Sequence, residues 1–190
     1  MNIPGFITHY HYPDKKPFLN LGDLPEEERA PVIEELNARE ARAETQRGFP
    51  GWYMSQRIAA EEKMHGLFIA KGGKPERKSP HYFTLGDSPM LEMIYKNNFR
   101  KVTLPVTGFD DSELCFSLGD SLWTMADSQK PGFSWTNRWF EGQLYTYDEA
   151  AAILRELKVD PGNMDSLKAH RLIYVEALLW SDHKIHPFTR

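Results

Sequence analysis

Five short segments rich in β-branched and aromatic residues are typical of β-strands. They cover residues 6–12, 81–86, 101–107, 113–118 and 171–180. In the first segment, side chains alternate between the two faces, so His9 and His11 share the face opposite Tyr10. The last segment is apolar on both faces, which is typical of a strand in the interior of a sheet.

Glu176 interrupts the last segment with a carboxylate and shares its predicted face with Tyr174 and Leu178. Burying an unpaired carboxylate costs several kcal/mol. Two interpretations therefore stay open. Glu176 either forms a buried ion pair with an arginine such as Arg57 or Arg171, or it faces a cleft.

Helical periodicity and capping signals predict four or five helices. Asp23 followed by Glu26, and Thr146 followed by Glu149, have the spacing of capping boxes. Ser88-Pro89 begins a short helix with a cap and a proline in its first turn. A further helix begins near residue 52, and its predicted inward face consists of Tyr53, Met54, Ile58, Ala60, Met64 and Leu67.

Two other segments lack a regular pattern. Residues 37–48 contain no apolar side chain larger than alanine, so residues 37–50 are predicted to be an exposed or mobile connection. Residues 123–142 form a long aromatic loop that includes Trp135 and Trp139. Loops of this length act as lids in many proteins, and a packed surface excursion is the alternative.

These elements predict one α+β domain over residues 1–190. Its sheet is expected to be mixed, largely antiparallel and built from about five or six strands, with four or five flanking helices. A composition of 41% hydrophobic and 26% charged residues is ordinary for a globular protein. No apolar stretch approaches the ~18–20 residues of a membrane span, and the N-terminus lacks a secretory signal. We therefore expect a cytoplasmic protein without a membrane partner.

Charge and cysteine content narrow the classes of partner. A net charge of −4 and a pI near 6.0 disfavour a protein-wide nucleic-acid surface, although basic residues cluster near Gly72-Gly73. The single cysteine, Cys115, excludes an intrachain disulfide and a CxxC zinc site, and its apolar neighbours predict a buried thiol. The alternatives kept for a partner are a small-molecule nucleotide or another protein, and nucleic acid is disfavoured without being excluded.

A short sequence occurs twice. Residues 83–88 read Phe-Thr-Leu-Gly-Asp-Ser, and residues 116–121 read Phe-Ser-Leu-Gly-Asp-Ser. Two copies are too few for a repeat architecture. They predict two strands that end in similar turns, with the glycine allowing the bend and the aspartate or serine providing a cap.

His9 and His11 are spaced as in HxH metal sites, which would support a metal-assisted hydrolase. No further ligand is fixed by spacing, so ordinary packing on a sheet face is the favoured interpretation and no metal is predicted. The GxxxxGK[ST] and GxGxxG patterns are absent, which disfavours the classical nucleotide-binding folds.

Three segments carry a resemblance to a known family. They are Tyr10-His11-Tyr12-Pro13-Asp14, the segment from His81 to Thr84 with Tyr95 in the following helix, and Tyr174-Val175-Glu176. In this order they resemble motifs of the ADP-ribosyltransferase superfamily. The resemblance covers scattered short segments, and Lys78-Ser79-Pro80 replaces the usual glycine-led run.

This resemblance implies an enzyme that uses NAD as a substrate. It assigns His11 to the nicotinamide ribose, Tyr82 and Tyr95 to the nicotinamide ring, and Glu176 to catalysis. Ser117, on another strand, is a supporting hydroxyl. An oxocarbenium-like ribose needs a carboxylate, and a flat ring needs aromatic walls. The alternative is a non-catalytic interaction protein whose tryptophan-rich loop is the contact surface.

Overall fold

The computed structural model describes residues 2–125 and 138–189, and one five-stranded sheet forms its centre. The strands are β1 (Phe6–His11), β2 (His81–Leu85), β3 (Arg100–Pro105), β4 (Leu114–Leu118) and β5 (Val175–Leu179). Their order is β3-β1-β2-β5-β4, and each neighbouring pair is antiparallel. β5 lies between two strands, as its apolar sequence predicts. β3 and β4 occupy opposite edges of the sheet.

The described part of the chain also forms seven α-helices. They are α1 (Glu26–Ala41), α2 (Tyr53–Ala70), α3 (Pro89–Ile94), α4 (Ser121–Met125), α5 (Tyr147–Glu156), α6 (Met164–Ala169) and α7 (His186–Thr189). The sequence predicted only four or five helices because α4, α6 and α7 have at most six residues and little periodicity. The predicted α+β class is confirmed.

One face of the sheet packs against α5, and we call it the α5 face. Ile7, Phe83 and Phe116 from three different strands lie in one apolar cluster with Ile153 and Leu154 of α5. All five side chains are at most 8% exposed. The Thr146 capping box that starts α5 is formed as predicted. This face is the main hydrophobic core of the domain.

The opposite face packs against α2 and α4, and we call it the α2 face. Met64 and Phe68 of α2 join Leu122 of α4, Leu178 and Trp180 in a second apolar cluster. A third cluster at the β1 end of this face contains three tyrosines, which are Tyr10, Tyr12 and Tyr95. The α2 face therefore has two apolar clusters.

The structure corrects the predicted start of α1. Pro25 occupies the N-cap position without a side-chain cap, and Asp23 lies in a 3-10 turn over Leu21–Asp23. The Asp23 carboxylate instead pairs with Arg77, one of the basic residues near Gly72-Gly73. The Asp23 carboxylate, which would cap the helix in a capping box, thus forms a long-range ion pair instead.

The connection over residues 37–50 is more ordered than its sequence predicts. α1 continues to Ala41, and Arg39 is buried between the carboxylates of Asp14 and Glu35. Asn37 both donates to the Phe49 carbonyl and accepts from the Phe49 N–H. The polar side chains of residues 37–50 therefore hold this segment against the rest of the protein through ion pairs and hydrogen bonds.

Both Gly-Asp-Ser turns form as predicted. Gly86 and Gly119 have φ values of +72° and +105°, which glycine adopts without a steric penalty. After the first turn, the Ser88 hydroxyl accepts from the N–H of Leu91 and caps α3. After the second turn, Asp120 accepts from the N–H of Leu122. Each turn leads directly from a strand into a short helix.

Replacing Gly119 with alanine should lower the free energy of unfolding by more than about 1 kcal/mol, because φ at this position is strained for any other residue. Gly66→Ala is the matched control: Gly66 is exposed inside α2 with open space around its Cα, so alanine should stabilise by about 0.5–1 kcal/mol. Urea unfolding measures both changes. Equal effects would contradict the turn geometry.

Candidate functional site

A row of polar side chains crosses four strands on the α2 face. Thr8 pairs with Thr84, Thr84 pairs with Glu176, and Glu176 pairs with Ser117. Residues directly opposite each other in an antiparallel sheet point to the same side. All four are at most 4% exposed. The row places a carboxylate among buried hydroxyl groups, between the apolar clusters of this face.

Glu176 is held by the turn after β4 and has no direct ion pair within the described residues. One carboxylate oxygen, Oε2, accepts a hydrogen bond from the Ser121 backbone N–H at 2.9 Å. The Ser121 hydroxyl also hydrogen-bonds to Glu176, and Arg57 Nη1 donates to that hydroxyl at 3.5 Å. Arg171 is exposed. Arg57 therefore interacts with Glu176 through the Ser121 hydroxyl and does not form the direct ion pair that one of the two alternatives predicted.

The surroundings of Glu176 favour its protonated form. Burial raises the pKa of Glu176 to about 7, and the neighbouring Asp120 carboxylate acts in the same direction. Arg57 and the two hydrogen bonds from Ser121 act in the opposite direction. Glutamates with such a pKa act as general acids and bases in enzymes.

Arg57 and Glu61 of α2 extend the polar row into the helix. Glu61 Oε1 lies 3.4 Å from Arg57 Nε and accepts from the Tyr82 hydroxyl at 2.7 Å. Glu61 Oε2 accepts from the Ser79 hydroxyl at 2.7 Å. Both α2 residues are at most 7% exposed, whereas Ile58, predicted to face inward, is 37% exposed.

The sequence contained a signal for this pair. Glu61 lies four positions after Arg57, and Met64 and Phe68 continue the same helical stripe. A prediction that selects only apolar residues for the inward face misses a stripe that begins with an ion pair.

The predicted site residue Tyr82 joins this cluster. The Arg57 guanidinium lies 3.8 Å from the centre of the Tyr82 ring, a cation–π contact. Arg57 thus covers one face of the ring that the resemblance assigns to nicotinamide. Burial also raises the pKa of the Tyr82 hydroxyl well above its usual value, so this hydroxyl stays protonated and donates to Glu61.

His11 does not join the cluster. His11 lies three positions after Thr8 in β1, and Thr8 is on the same face as Glu176. Strand alternation therefore places His11 on the opposite α5 face. Its Nδ1 faces the carbonyl oxygens of Tyr12 and Lys15, both at 2.9 Å. The structure therefore does not bring His11 together with Tyr82 and Glu176.

His9 has a structural role on the α5 face. Its Nδ1 donates to the Tyr82 carbonyl at 2.8 Å, and its Nε2 accepts from the Phe18 N–H at 3.0 Å. Both ring nitrogens are used, so metal binding would break one of these bonds. Residues 2–125 and 138–189 contain no group of three His, Cys, Asp or Glu side chains arranged to hold a metal ion.

The other two predicted site residues lie on the α2 face at different places. The Ser117 hydroxyl is 3.1 Å from the Thr124 hydroxyl, beside Glu176 in the polar row. Tyr95 packs on Tyr12 with ring centres 4.9 Å apart, and its hydroxyl accepts from Arg47 Nη1 at 3.3 Å. Tyr95 thus belongs to the tyrosine cluster at the β1 end.

Exposed tryptophans occur near the start and end of the predicted aromatic loop. Trp123 is 36% exposed and Trp139 is 58% exposed. Trp52 is 41% exposed, and its ring centre is 5.9 Å from that of Trp123. Trp135 and the rest of residues 126–137 lie outside the described residues. The loop as a contact surface stays a prediction.

Cys115 is a buried thiol, as predicted. It is 3% exposed, and its sulfur lies 3.4 Å from Trp180 Nε1. Burial raises the pKa of the thiol to about 12, so it stays protonated at neutral pH.

Comparison of the chain with protein-family models, with curated proteins and with solved structures finds no match. Among the helices in the described ranges, none combines the length and the apolar character needed to cross a bilayer. The site is therefore interpreted from its own contacts.

His9 should make the protein sensitive to acid. Burial lowers the pKa of His9 from 6.5 to about 4, so the unfolded chain binds the proton more tightly than the folded protein. The part of the stability that depends on His9 should therefore be fully present above pH 6.5 and fall by about 3 kcal/mol as the pH falls to 4. In urea unfolding, His9→Phe should lose this part of the pH dependence. Parallel profiles for the two proteins would contradict it.

Glu176→Gln should show the opposite pH dependence. The folded protein holds the Glu176 proton more tightly than the unfolded chain, so wild-type stability is lost as the pH rises from 4.5 through 7. Glutamine still accepts from Ser121 and carries no charge. The variant should match wild type at pH 4.5 and exceed it by roughly 1–3 kcal/mol at pH 8. A variant less stable at pH 8 would indicate an ion pair instead.

Proposed function

We propose that this protein is an enzyme that uses the buried cluster around Glu176 for NAD-dependent ADP-ribosyl transfer. The observation that carries the proposal is the position of Glu176, a buried carboxylate that is held by Ser121 and has no direct ion pair within the described residues. Burial raises its pKa to about 7. A carboxylate in this state can take up a proton and can also stabilise positive charge.

The proposed reaction uses both properties of Glu176, the stabilisation of positive charge and the uptake of a proton. The bond between ribose C1′ and the nicotinamide nitrogen breaks, and its electron pair leaves with nicotinamide. The ionised carboxylate stabilises the positive charge that develops on the ribose ring. A hydroxyl of the acceptor then bonds to C1′, and its proton passes to Glu176. A group with a pKa near 7 suits this exchange at neutral pH.

Ser121, Arg57 and Ser117 act as positioning residues in this proposal. The Ser121 N–H fixes one carboxylate oxygen, and Arg57 orients the Ser121 hydroxyl. Ser117 supplies a hydroxyl beside Glu176 on the neighbouring strand. Tyr82 remains the proposed aromatic residue for nicotinamide, whereas Tyr95 lies in the separate tyrosine cluster at the β1 end. His11 has no role, because it lies on the other face of the sheet.

NAD provides the test. Millimolar NAD should raise the melting temperature of the wild-type protein, and incubation should release nicotinamide, measured by chromatography. Glu176→Gln should keep the thermal shift and lose nicotinamide release by about 100-fold or more. Glu62→Gln, which changes an exposed carboxylate of α2, is the matched control and should retain release. Absence of both thermal shift and release in the wild type would contradict the proposal.

A further inference from the structure

Arg47 lies in the connection between α1 and α2 and is fixed through its backbone. Its N–H donates to the Thr45 hydroxyl at 3.1 Å, and that hydroxyl donates to the Ile94 carbonyl at 3.0 Å. The Gln46 N–H donates to the same carbonyl at 2.9 Å. The connection is thus tied to the end of α3, which holds the start of the Arg47 side chain in place.

The partners of the Arg47 guanidinium differ from those of three other arginines that are buried or partly buried. Arg39, Arg57 and Arg77 each lie within 4.0 Å of at least one carboxylate. Arg47 is partly buried, and its side-chain hydrogen bonds within the described residues go to the hydroxyls of Tyr95 and Tyr53. The guanidinium also lies 5.1 Å from the centre of the Phe49 ring. A guanidinium has five donors and a full charge, so two neutral hydroxyls and an aromatic face leave donors unused and provide no carboxylate for the charge.

A second polar group next to Arg47 is also unmatched. The Tyr12 hydroxyl is buried and has no hydrogen-bond partner within the described residues, although Tyr12 is only 6% exposed. The nearby Thr45 hydroxyl donates to Ile94 and accepts from Arg47, and it makes no hydrogen bond of normal geometry with Tyr12. The Tyr12 ring packs on Tyr95, whose hydroxyl accepts from Arg47. A buried hydroxyl without a partner costs about 1–3 kcal/mol, so it points to a missing acceptor.

We propose that Arg47 and the Tyr12 hydroxyl form a binding site for a phosphoryl group, and that Tyr95, which accepts from Arg47 and donates to the Tyr10 carbonyl, holds Arg47 in place. A phosphoryl group carries up to two negative charges and three terminal acceptor oxygens in a tetrahedral arrangement. It can satisfy the guanidinium fork and the Tyr12 hydroxyl at the same time, which a single-atom anion does not. Arginine is the residue best suited to such bidentate recognition.

The phosphoryl group has two sources, free phosphate or a phosphomonoester. The contacts of Arg47 and Tyr12 are the same for both, so the experiment compares them. The site does not depend on the function proposed for Glu176, because none of Arg47, Tyr12 and Tyr95 contacts that carboxylate in a hydrogen bond or ion pair. Failure of NAD turnover would therefore leave the phosphate result unaffected.

Isothermal titration with inorganic phosphate at constant ionic strength tests the site, with glycerol phosphate and acetate in parallel. The wild-type protein should bind phosphate or glycerol phosphate saturably, and the tighter of the two identifies the source. Arg47→Gln should weaken binding at least tenfold, and Tyr12→Phe should weaken it several-fold. Arg155→Gln, an exposed arginine on α5, should bind as the wild type does.

Tyr12→Phe keeps the test independent of folding, because the Tyr12 hydroxyl makes no hydrogen bond of normal geometry within residues 2–125 and 138–189. Without phosphate its melting temperature should equal or exceed that of the wild type. Three results would overturn the site: no saturable binding of either phosphate compound, unchanged binding in Arg47→Gln, or acetate binding as tightly as phosphate.

Discussion

Burial of the Glu176 carboxylate is the constraint on which the rest of the α2 face depends. A carboxylate at this depth needs hydrogen bonds or a cation, and a hydrophobic helix packed over it would leave it unsatisfied. The Gly119 turn brings the Ser121 N–H to one oxygen, and Arg57 of α2 acts through the Ser121 hydroxyl. Packing of α2, the turn after β4 and the polar row of the sheet are therefore consequences of the same charge.

The two faces of the sheet consequently differ in kind. The α5 face is an apolar core in which His9 is neutral and joins β1 to β2 through the Tyr82 carbonyl. The α2 face mixes apolar clusters with charges, hydroxyls and tyrosines, and every predicted site residue except His11 lies there. The plane of the sheet thus separates the main apolar core from the polar row and the predicted site residues other than His11. A one-residue shift along β1 moves a side chain from one of these environments to the other.

Local signals predicted the fold well where they were strong. β1, β2, β4, the Thr146 capping box and both Gly-Asp-Ser turns follow from residue type and spacing. The site was predicted only in part. Alternation already placed His11 opposite Tyr10, but the position of Glu176 relative to that face depends on strand pairing across distant segments. The order of residues along the chain does not specify which residues pair across distant strands. It also does not show that Asp23 pairs with Arg77 rather than capping a helix.

The central claim is that Glu176 is a buried carboxylate that exchanges its proton near neutral pH. The most direct measurement is a carbon-13 NMR titration of the glutamate side-chain carboxyl carbons, with the Glu176 signal assigned by its loss in Glu176→Gln. The account predicts a midpoint near pH 7 for this signal. A midpoint at or below 4.5, the ordinary value for glutamate, would show a carboxylate stabilised by a close cation and would contradict the account.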